Sequence, residues 1–238
     1  MTLLDLTLPD PALNLALDEA LLLNAEEDGG PEVLRLWESP APMVVVGAGG
    51  SVAIDVNRSA CEAAGVPILR RASGGGTVLL GPGCLCYSLI LRTDRAPGLD
   101  LIQASTQYVL SRTSNAIRDL VCDASIAGTS DLQVGGRKFS GSAQQRKRNH
   151  FLHHGTLLYD FDLDLIARFL NAPERQPDYR RSRPHADFLT NLLATGEELK
   201  LRLIAAWEPT AELAEAPLEP ARQLLVAKYG CDEWTFRR

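Results

Sequence analysis

Two short stretches carry residue types that could handle an anion or an activated acyl group. In Arg70-Arg71-Ala72-Ser73-Gly74-Gly75-Gly76, two arginines and a serine run into three consecutive glycines. Glycine costs about 1 kcal/mol relative to alanine in regular structure. A run of three therefore marks backbone that passes close to something, or successive N–H groups that converge on one anion. Upstream guanidinium and hydroxyl groups suit a phosphate or a carboxylate. The plainer alternative is a flexible turn with incidental charges. The loop is no Walker A motif, because no Lys-Ser/Thr pair follows the last glycine. In the second stretch, Asp131 to Val134, Gly135-Gly136 and Arg137-Lys138-Phe139 spell a hairpin, since two glycines supply the positive φ of a short turn. Lys138 lies on one strand and Asp131 on its partner, and the small residues Gly141, Ser142 and Ala143 leave room for a ligand. The lysine is either a solvated outer-face charge or a cation that neutralises charge building on a transferred phosphoryl or acyl oxygen.

Alternating helix and strand signals must position these stretches. Asp10 before Pro11 offers an N-cap to a helix with Leu13, Ala16, Leu17, Ala20 and Leu21 on its apolar positions. Gly29-Gly30-Pro31 breaks it. Strands are expected at 33–37, 43–46, 85–91 and 153–158, with Gly81-Pro82-Gly83 as a tight turn before the third. Helices are expected at 57–64, 101–120, 163–170, 197–207 and 220–228. Residues 144–149 and 176–185 read as loops, both rich in arginine. Strands separated by single helices, with hairpins between neighbours, predict an α/β (α+β) class: a mixed, largely antiparallel central sheet flanked by helices.

The chain has 238 residues, of which 45% are hydrophobic, enough for a core without disulfide or metal staples. A single domain over 1–238 is expected. Thirty acidic against 24 basic residues give a net charge of −6, which argues against a general nucleic-acid binder. No apolar run approaches the ~20 residues that span a bilayer, and Asp5 interrupts the opening leucines, so neither a membrane partner nor a signal peptide is expected. Five cysteines form no CxxC or zinc spacing. They read as small hydrophobes in a reducing compartment, and the expected location is cytoplasmic.

RRASGGGTV, SDLQVGGRKFSGSAQ and HHGTLL followed by DLDLIARFLN resemble the three signature blocks of the lipoate–protein ligase A family. NLALDEALL and KYGCDEWTF are similar to that family's opening helix and closing segment. The resemblance implies a biotin/lipoate protein ligase catalytic-domain fold and a two-step reaction. Lipoic acid and ATP, with Mg2+, would give lipoyl-adenylate. The acyl group would then pass to a lysine of a lipoyl-domain protein, a 2-oxoacid dehydrogenase E2 subunit or the glycine-cleavage H protein. By position, Arg70, Arg71, Ser73, Gly74, Gly75 and Gly76 would form the loop over the lipoyl chain and the phosphates. Lys138 would hold the lipoate carbonyl oxygen and the α-phosphate. Asp131 would lie near the adenylate and its magnesium, and His153, His154, Gly155 and Thr156 would line the acyl pocket. The family's C-terminal accessory domain is not expected within this chain, and a separate polypeptide would supply it.

Two departures accompany the resemblance. Gly47 is followed by Ala48-Gly49-Gly50 instead of the family's Arg-x-Gln, and Leu80-Gly81 replace its His-Asp pair. Gly81-Pro82-Gly83 instead resembles the turn of the lipoyl-synthesis octanoyltransferases. A cysteine-dependent octanoyl- or lipoyltransferase that needs no ATP is therefore an alternative, with Cys122, sixteen residues before Lys138, as its candidate nucleophile. A non-catalytic binder of lipoyl domains or acyl ligands is the other.

Overall fold

A computed structural model describes residues 1–173 and 176–237. In chain order its strands are β1 (Thr2–Asp5), β2 (Val33–Trp37), β3 (Met43–Val46), β4 (Ile68–Arg70), β5 (Val78–Leu80), β6 (Cys84–Arg92), β7 (Ser125–Ala127), β8 (Asp131–Val134), β9 (Arg137–Arg146), β10 (His150–Leu158) and β11 (Ala211–Glu212). The helices are α1 (Pro11–Glu27), α2 (Val52–Asp55), α3 (Arg58–Ala64), α4 (Ile102–Ala116), α5 (Asp164–Phe169), α6 (His185–Phe188), α7 (Gly196–Trp207), α8 (Leu218–Leu224) and α9 (Asp232–Thr235). An eight-stranded sheet has the order β11-β1-β2-β6-β10-β9-β8-β7, and a three-stranded sheet the order β4-β3-β5. Among the described strands, β1 pairs in parallel with both its neighbours and β3 with β4, and the other strand pairs are antiparallel.

Period-two alternation along the central strands sorts the side chains into two cores. On β6, Leu85, Tyr87, Leu89 and Leu91 join Val109 and Leu110 of α4 and Leu199, Leu203 and Trp207 of α7. Cys84, Cys86 and Ile90 face the other way, into the core shared by α1 and the three-stranded sheet. Both faces of β6 are covered, so the strand is almost wholly apolar, with the buried Ser88 as its one polar interruption before Arg92.

Local signals set the helix ends. The Asp10 carboxylate accepts from the amides of Ala12 and Leu13 at 2.8 and 3.1 Å, with Pro11 as the first helical residue of α1. Thr195 and Glu198 close a reciprocal capping box on α7. Gly83 turns the chain into β6 with φ +83°, and a Cβ there would lie 2.2 Å from the Asp160 carbonyl, so only glycine fits.

Two of the differences from expectation have a clear local cause. The helix predicted over 101–120 stops at Ala116, where Ser111, Thr113, Ser114 and Asn115 are weak helix formers and the Ser114 hydroxyl donates instead to the Ala124 carbonyl. The basic loop predicted over 144–149 contracts to a tip at 147–149, because β9 continues through Arg146. That guanidinium stacks over Phe151 at 4.9 Å and donates to the Leu99 carbonyl and the Ser105 hydroxyl, which makes Arg146 a structural tie.

Candidate functional site

The β8–β9 hairpin forms as its glycines require, with Gly135 and Gly136 at φ +56° and +77°. Its register breaks once. Asp131 pairs with Gly141 and Leu132 with Ser140, but Gln133 pairs with Lys138, so β9 carries one extra residue. Regular alternation would place residue 138 on the face opposite residue 141. The bulge brings Lys138 round to the Asp131 face, as bulges beside functional sites do. Its Nζ lies 2.7 Å from Asp131 Oδ1, directly over Gly141, where a Cβ would come within 2.8 Å of that ammonium. The second oxygen of Asp131 accepts from the Tyr179 hydroxyl at 2.7 Å. Burial and the Asp131 charge push the Tyr179 hydroxyl above its ordinary range, so it stays a donor.

The glycine loop, 73–76, leaves β4 and is shaped by Arg71. Arg71 is buried, and among the described residues no carboxylate pairs with it. Its Nε donates to Ser73 Oγ at 3.0 Å, one Nη to the Val45 carbonyl at 3.2 Å, and the other to the carbonyls of Gly74 and Gly76 at 2.6 and 2.8 Å. Burial pulls its pKa down to about 10, so it remains charged at neutral pH. With those carbonyls turned inward, the amides of residues 74–76 meet no protein acceptor among the described residues. Gly75 adopts φ +87°, and its carbonyl lies 2.0 Å from where a Cβ on Gly47 would be. The 47–50 loop thus packs backbone to backbone against the glycine loop, joined by the Ala48 amide donating to the Ser73 carbonyl at 2.8 Å.

Two connected compartments surround Lys138. A cleft of about 840 Å3 runs from the 49–51 loop to α6, and a narrower space of about 180 Å3 penetrates toward α1 and β6. Gly75, Gly76, Thr77, Val78, Asp131, Lys138, Gly141 and Thr156 line both. Lys138 and the glycine loop therefore both border the place where the compartments meet. The narrow space is walled by Leu15, Trp37, Val45, Leu80 and Cys86, which suits an aliphatic chain. The wide cleft holds Arg180, His185 and Asp55. The Thr77 hydroxyl donates to Asp55 at 2.7 Å.

Among the residues expected from sequence, Arg71, Ser142, Ala143, His154 and Gly155 line the narrow compartment. Ser73 and Gly74 line neither compartment, and neither do three others, Arg70, His153 and Cys122. Arg70 is fully buried and turned away. Its guanidinium donates to the carbonyls of Gly47, Gly50 and Thr235, tying the 47–50 loop to α9. His153 is also fully buried, because neighbouring residues of β10 face opposite cores. It pairs with Leu89 on the α4 side, stacks on Tyr87, and burial, then His154, pulls its pKa down to about 3. Cys122 is exposed and lines neither compartment. Ala127 of β7 pairs with Asp131 and Ser125 with Gln133, so the chain leading back to Cys122 runs away from the Asp131 end.

Asp18 and Arg180 escaped the sequence reading. Burial alone would raise the Asp18 carboxyl, but Arg35 at 2.7 Å, His154 and Ser88 outweigh it and hold it below the ordinary carboxylate range. Two adjacent acids, Asp18-Glu19, flanked by Leu15-Ala16-Leu17 and Ala20-Leu21-Leu22-Leu23 were the available signal. Arg180 lies in a loop that reads as solvated, yet it is buried against Phe188 at 4.8 Å and lines the cleft. Among the described residues no group of three or more His, Cys, Asp or Glu could hold a metal. Asp131 alone suits Mg2+ only as the single carboxylate beside phosphate ligands.

Residues 10–205 match the family model described as the lipoyl protein ligase A/B catalytic domain. A probable lipoate-protein ligase A of Mycoplasma pneumoniae is 33% identical over 161 residues, covering 68% of this chain and 46% of that one. The chain thus spans about half the length of that curated relative. An octanoyltransferase, LipM, of Symbiobacterium thermophilum is 29% identical and covers 94% of both chains. Among solved structures, a lipoate-protein ligase A bound with ATP superposes with a TM-score of 0.82 at 23% identity over 99% of this chain and 98% of that one. A bi-partite lipoate protein ligase of Thermoplasma acidophilum, studied with its E2 lipoyl domain, gives 0.83 at 22% over 99% and 95%. At such identities the likeness is one of fold.

Proposed function

Since this chain belongs to the lipoyl protein ligase A/B catalytic-domain family, we propose that it is an enzyme, a lipoate–protein ligase. The carboxylate of lipoate attacks the α-phosphorus of ATP to give lipoyl-adenylate with release of pyrophosphate, and the acyl group then passes to a lysine of a lipoyl-domain protein with release of AMP. One observation carries the reading: Lys138 and the glycine-loop residues Gly75 and Gly76 line both the narrow compartment and the wide cleft. An acyl chain in the narrow space would present its carboxylate to Lys138, and a nucleotide in the wide cleft would bring its α-phosphate to the same place. Both half-reactions build negative charge on oxygens bound to that centre, and a preorganised ammonium with free amides stabilises such charge without reorganisation. Asp131 and Tyr179 hold the lysine in position. The apolar walls keep water from the mixed anhydride. Magnesium, arriving on the phosphates, would meet Asp131 and offset phosphate charge there. Arg180 adds a second cation to the wide cleft.

The test is ATP–pyrophosphate exchange dependent on lipoate, followed by the lipoyl mass increment on an E2 or H-protein lipoyl domain. The ligase reading predicts both for the wild type. No exchange with any acyl acid, with or without an accessory polypeptide, would remove it. If the purified chain activates lipoate poorly, a separate accessory polypeptide should restore exchange, and robust adenylation by this chain alone would refute the need for one.

A second reading has its own support. The octanoyltransferase match spans nearly the whole chain, and the Gly81-Pro82-Gly83 turn departs from the ligase pattern. It requires transfer from an octanoyl carrier protein without ATP, through a cysteine that can reach Lys138. Cys122 lies on the surface outside both compartments. Cys86 lines the narrow space, but its hydrogen bond to Cys84 and its burial raise its thiol well above the ordinary value, which disfavours the thiolate.

A further inference from the structure

The polar chain behind the glycine loop has no part in the chemistry proposed above. Ser73, His154 and Asp18 follow one another in the order of a nucleophile, its base and an orienting acid. Ser73 Oγ is 2.6 Å from His154 Nε2, and His154 Nδ1 is 3.5 Å from Asp18 Oδ2. Yet Ser73 is 2% exposed and lines neither compartment, so its hydroxyl meets no substrate. The hydrogens show what the chain does instead. An arginine nitrogen only donates, so Arg71 Nε–H occupies one lone pair of Ser73 Oγ. Among the described residues no acceptor other than His154 meets the Ser73 hydroxyl hydrogen. His154 Nε2 is then the acceptor, which leaves the ring's hydrogen on Nδ1, facing Asp18. Asp18 is itself fixed, by Arg35 at 2.7 Å on one oxygen and by Ser88 at 2.7 Å on the other. Arg35 in turn is held by the Asn14 carbonyl and side chain.

We propose that His154 is a positioning residue. With its tautomer set by Asp18, it orients Ser73, and Ser73 holds Arg71 on the carbonyls of Gly74 and Gly76, so that the amides of the loop stay open to the cleft. Helix α1 thereby sets the conformation of a loop more than fifty residues further along the chain. The catalytic consequence rests on the ligase reading; the geometric one does not.

Hydrogen exchange separates the two. The Ala48 amide donates to the Ser73 carbonyl at 2.8 Å and the Arg71 amide to the Val46 carbonyl at 3.0 Å, so both report on the loop's seat. In Ser73→Ala and His154→Ala these two amides should exchange at least ~10-fold faster, with the strand amides of β6 and β10 unchanged. His154→Gln, whose side-chain oxygen can replace Nε2 as acceptor, should retain wild-type exchange, and the shorter His154→Asn should not. The double variant Ser73→Ala/His154→Ala should be no worse than either single one, because both break the same link. In lipoate-dependent pyrophosphate exchange, His154→Ala should lose about 100-fold in kcat/KM, with His154→Gln near wild type. Unchanged exchange at Ala48 and Arg71 in His154→Ala, equal behaviour of the Gln and Asn variants, or additive losses in the double variant would overturn the proposal. If His154→Ala does not fold, the Gln and Asn pair decides. A wild type without pyrophosphate exchange, with or without an accessory polypeptide, but with the expected amide pattern, would overturn the ligase reading and leave the positioning role standing.

Discussion

Replacing Lys138 by alanine should abolish activation while leaving the fold intact. In the wild type the Lys138–Asp131 pair is neutral, with Nζ and Oδ1 2.7 Å apart. Without the ammonium, Asp131 keeps only the Tyr179 hydroxyl and presents a bare carboxylate to the place proposed for the α-phosphate. Two unit charges ~4 Å apart interact by about 4 kcal/mol at an effective dielectric of 20. The Lys138 side chain is 26% and the Asp131 side chain 12% exposed, so solvent screening lowers this to roughly 2–3 kcal/mol. Lost stabilisation of the transition-state oxyanion alone costs about 10²–10³-fold in kcat. Pyrophosphate exchange in Lys138→Ala should therefore fall by at least ~10²-fold, with a raised KM for ATP. The stability cost of losing a partly exposed pair should stay below about 1 kcal/mol, so the melting temperature should move by only a few degrees. Adding Asp131→Asn should recover nucleotide affinity without recovering turnover. Exchange within threefold of wild type in a folded Lys138→Ala protein would refute the reasoning.

Further outcomes follow from the same geometry. Gly47→Ala places a Cβ 2.0 Å from the Gly75 carbonyl, so it should destabilise by about 2 kcal/mol or more, read by urea unfolding, and lose pyrophosphate exchange even where folded. Cys122→Ser should leave lipoate activation and transfer unchanged. Loss of ATP-independent transfer from an octanoyl carrier protein in that variant would establish the transferase reading instead. His153 has a folded pKa of about 3 against an ordinary 6.5, so the unfolded chain takes up the proton first. Its contribution to stability is full above about pH 6.5 and is lost as pH falls toward 3, by at most about 1.4 kcal/mol per pH unit. Urea midpoints measured from pH 7 to 4 should fall less steeply in His153→Gln, and parallel slopes would contradict the assignment.

Local rules made much of this protein legible in its residues alone. The Asp10–Pro11 helix start, the strands at 33–37 and 43–46, the Gly135-Gly136 hairpin and the turn at Gly83 each depend on φ preferences and capping within a few positions, and each formed as those preferences require. The resemblance carried by the glycine triplet and the lysine block located two of the segments that line both compartments. What the order of residues could not settle was which side chains meet. His153 and His154 are neighbours, and only the pairing of β10 with β6 decides that one faces the α4 core and the other the narrow compartment. Arg70 and Arg71 are likewise adjacent, yet one ties down α9 and the other shapes the glycine loop. Lys138 reaches Asp131 because of a single extra residue in β9, and a regular hairpin would have turned it away. Asp18 stands beside His154 although the chain separates them by more than a hundred residues. Backbone conformation is chosen by nearest neighbours, but the face a side chain occupies is chosen by strand register and by which distant surface buries it. For that reason the chain announces its chemistry locally, and only the folded sheet assembles it.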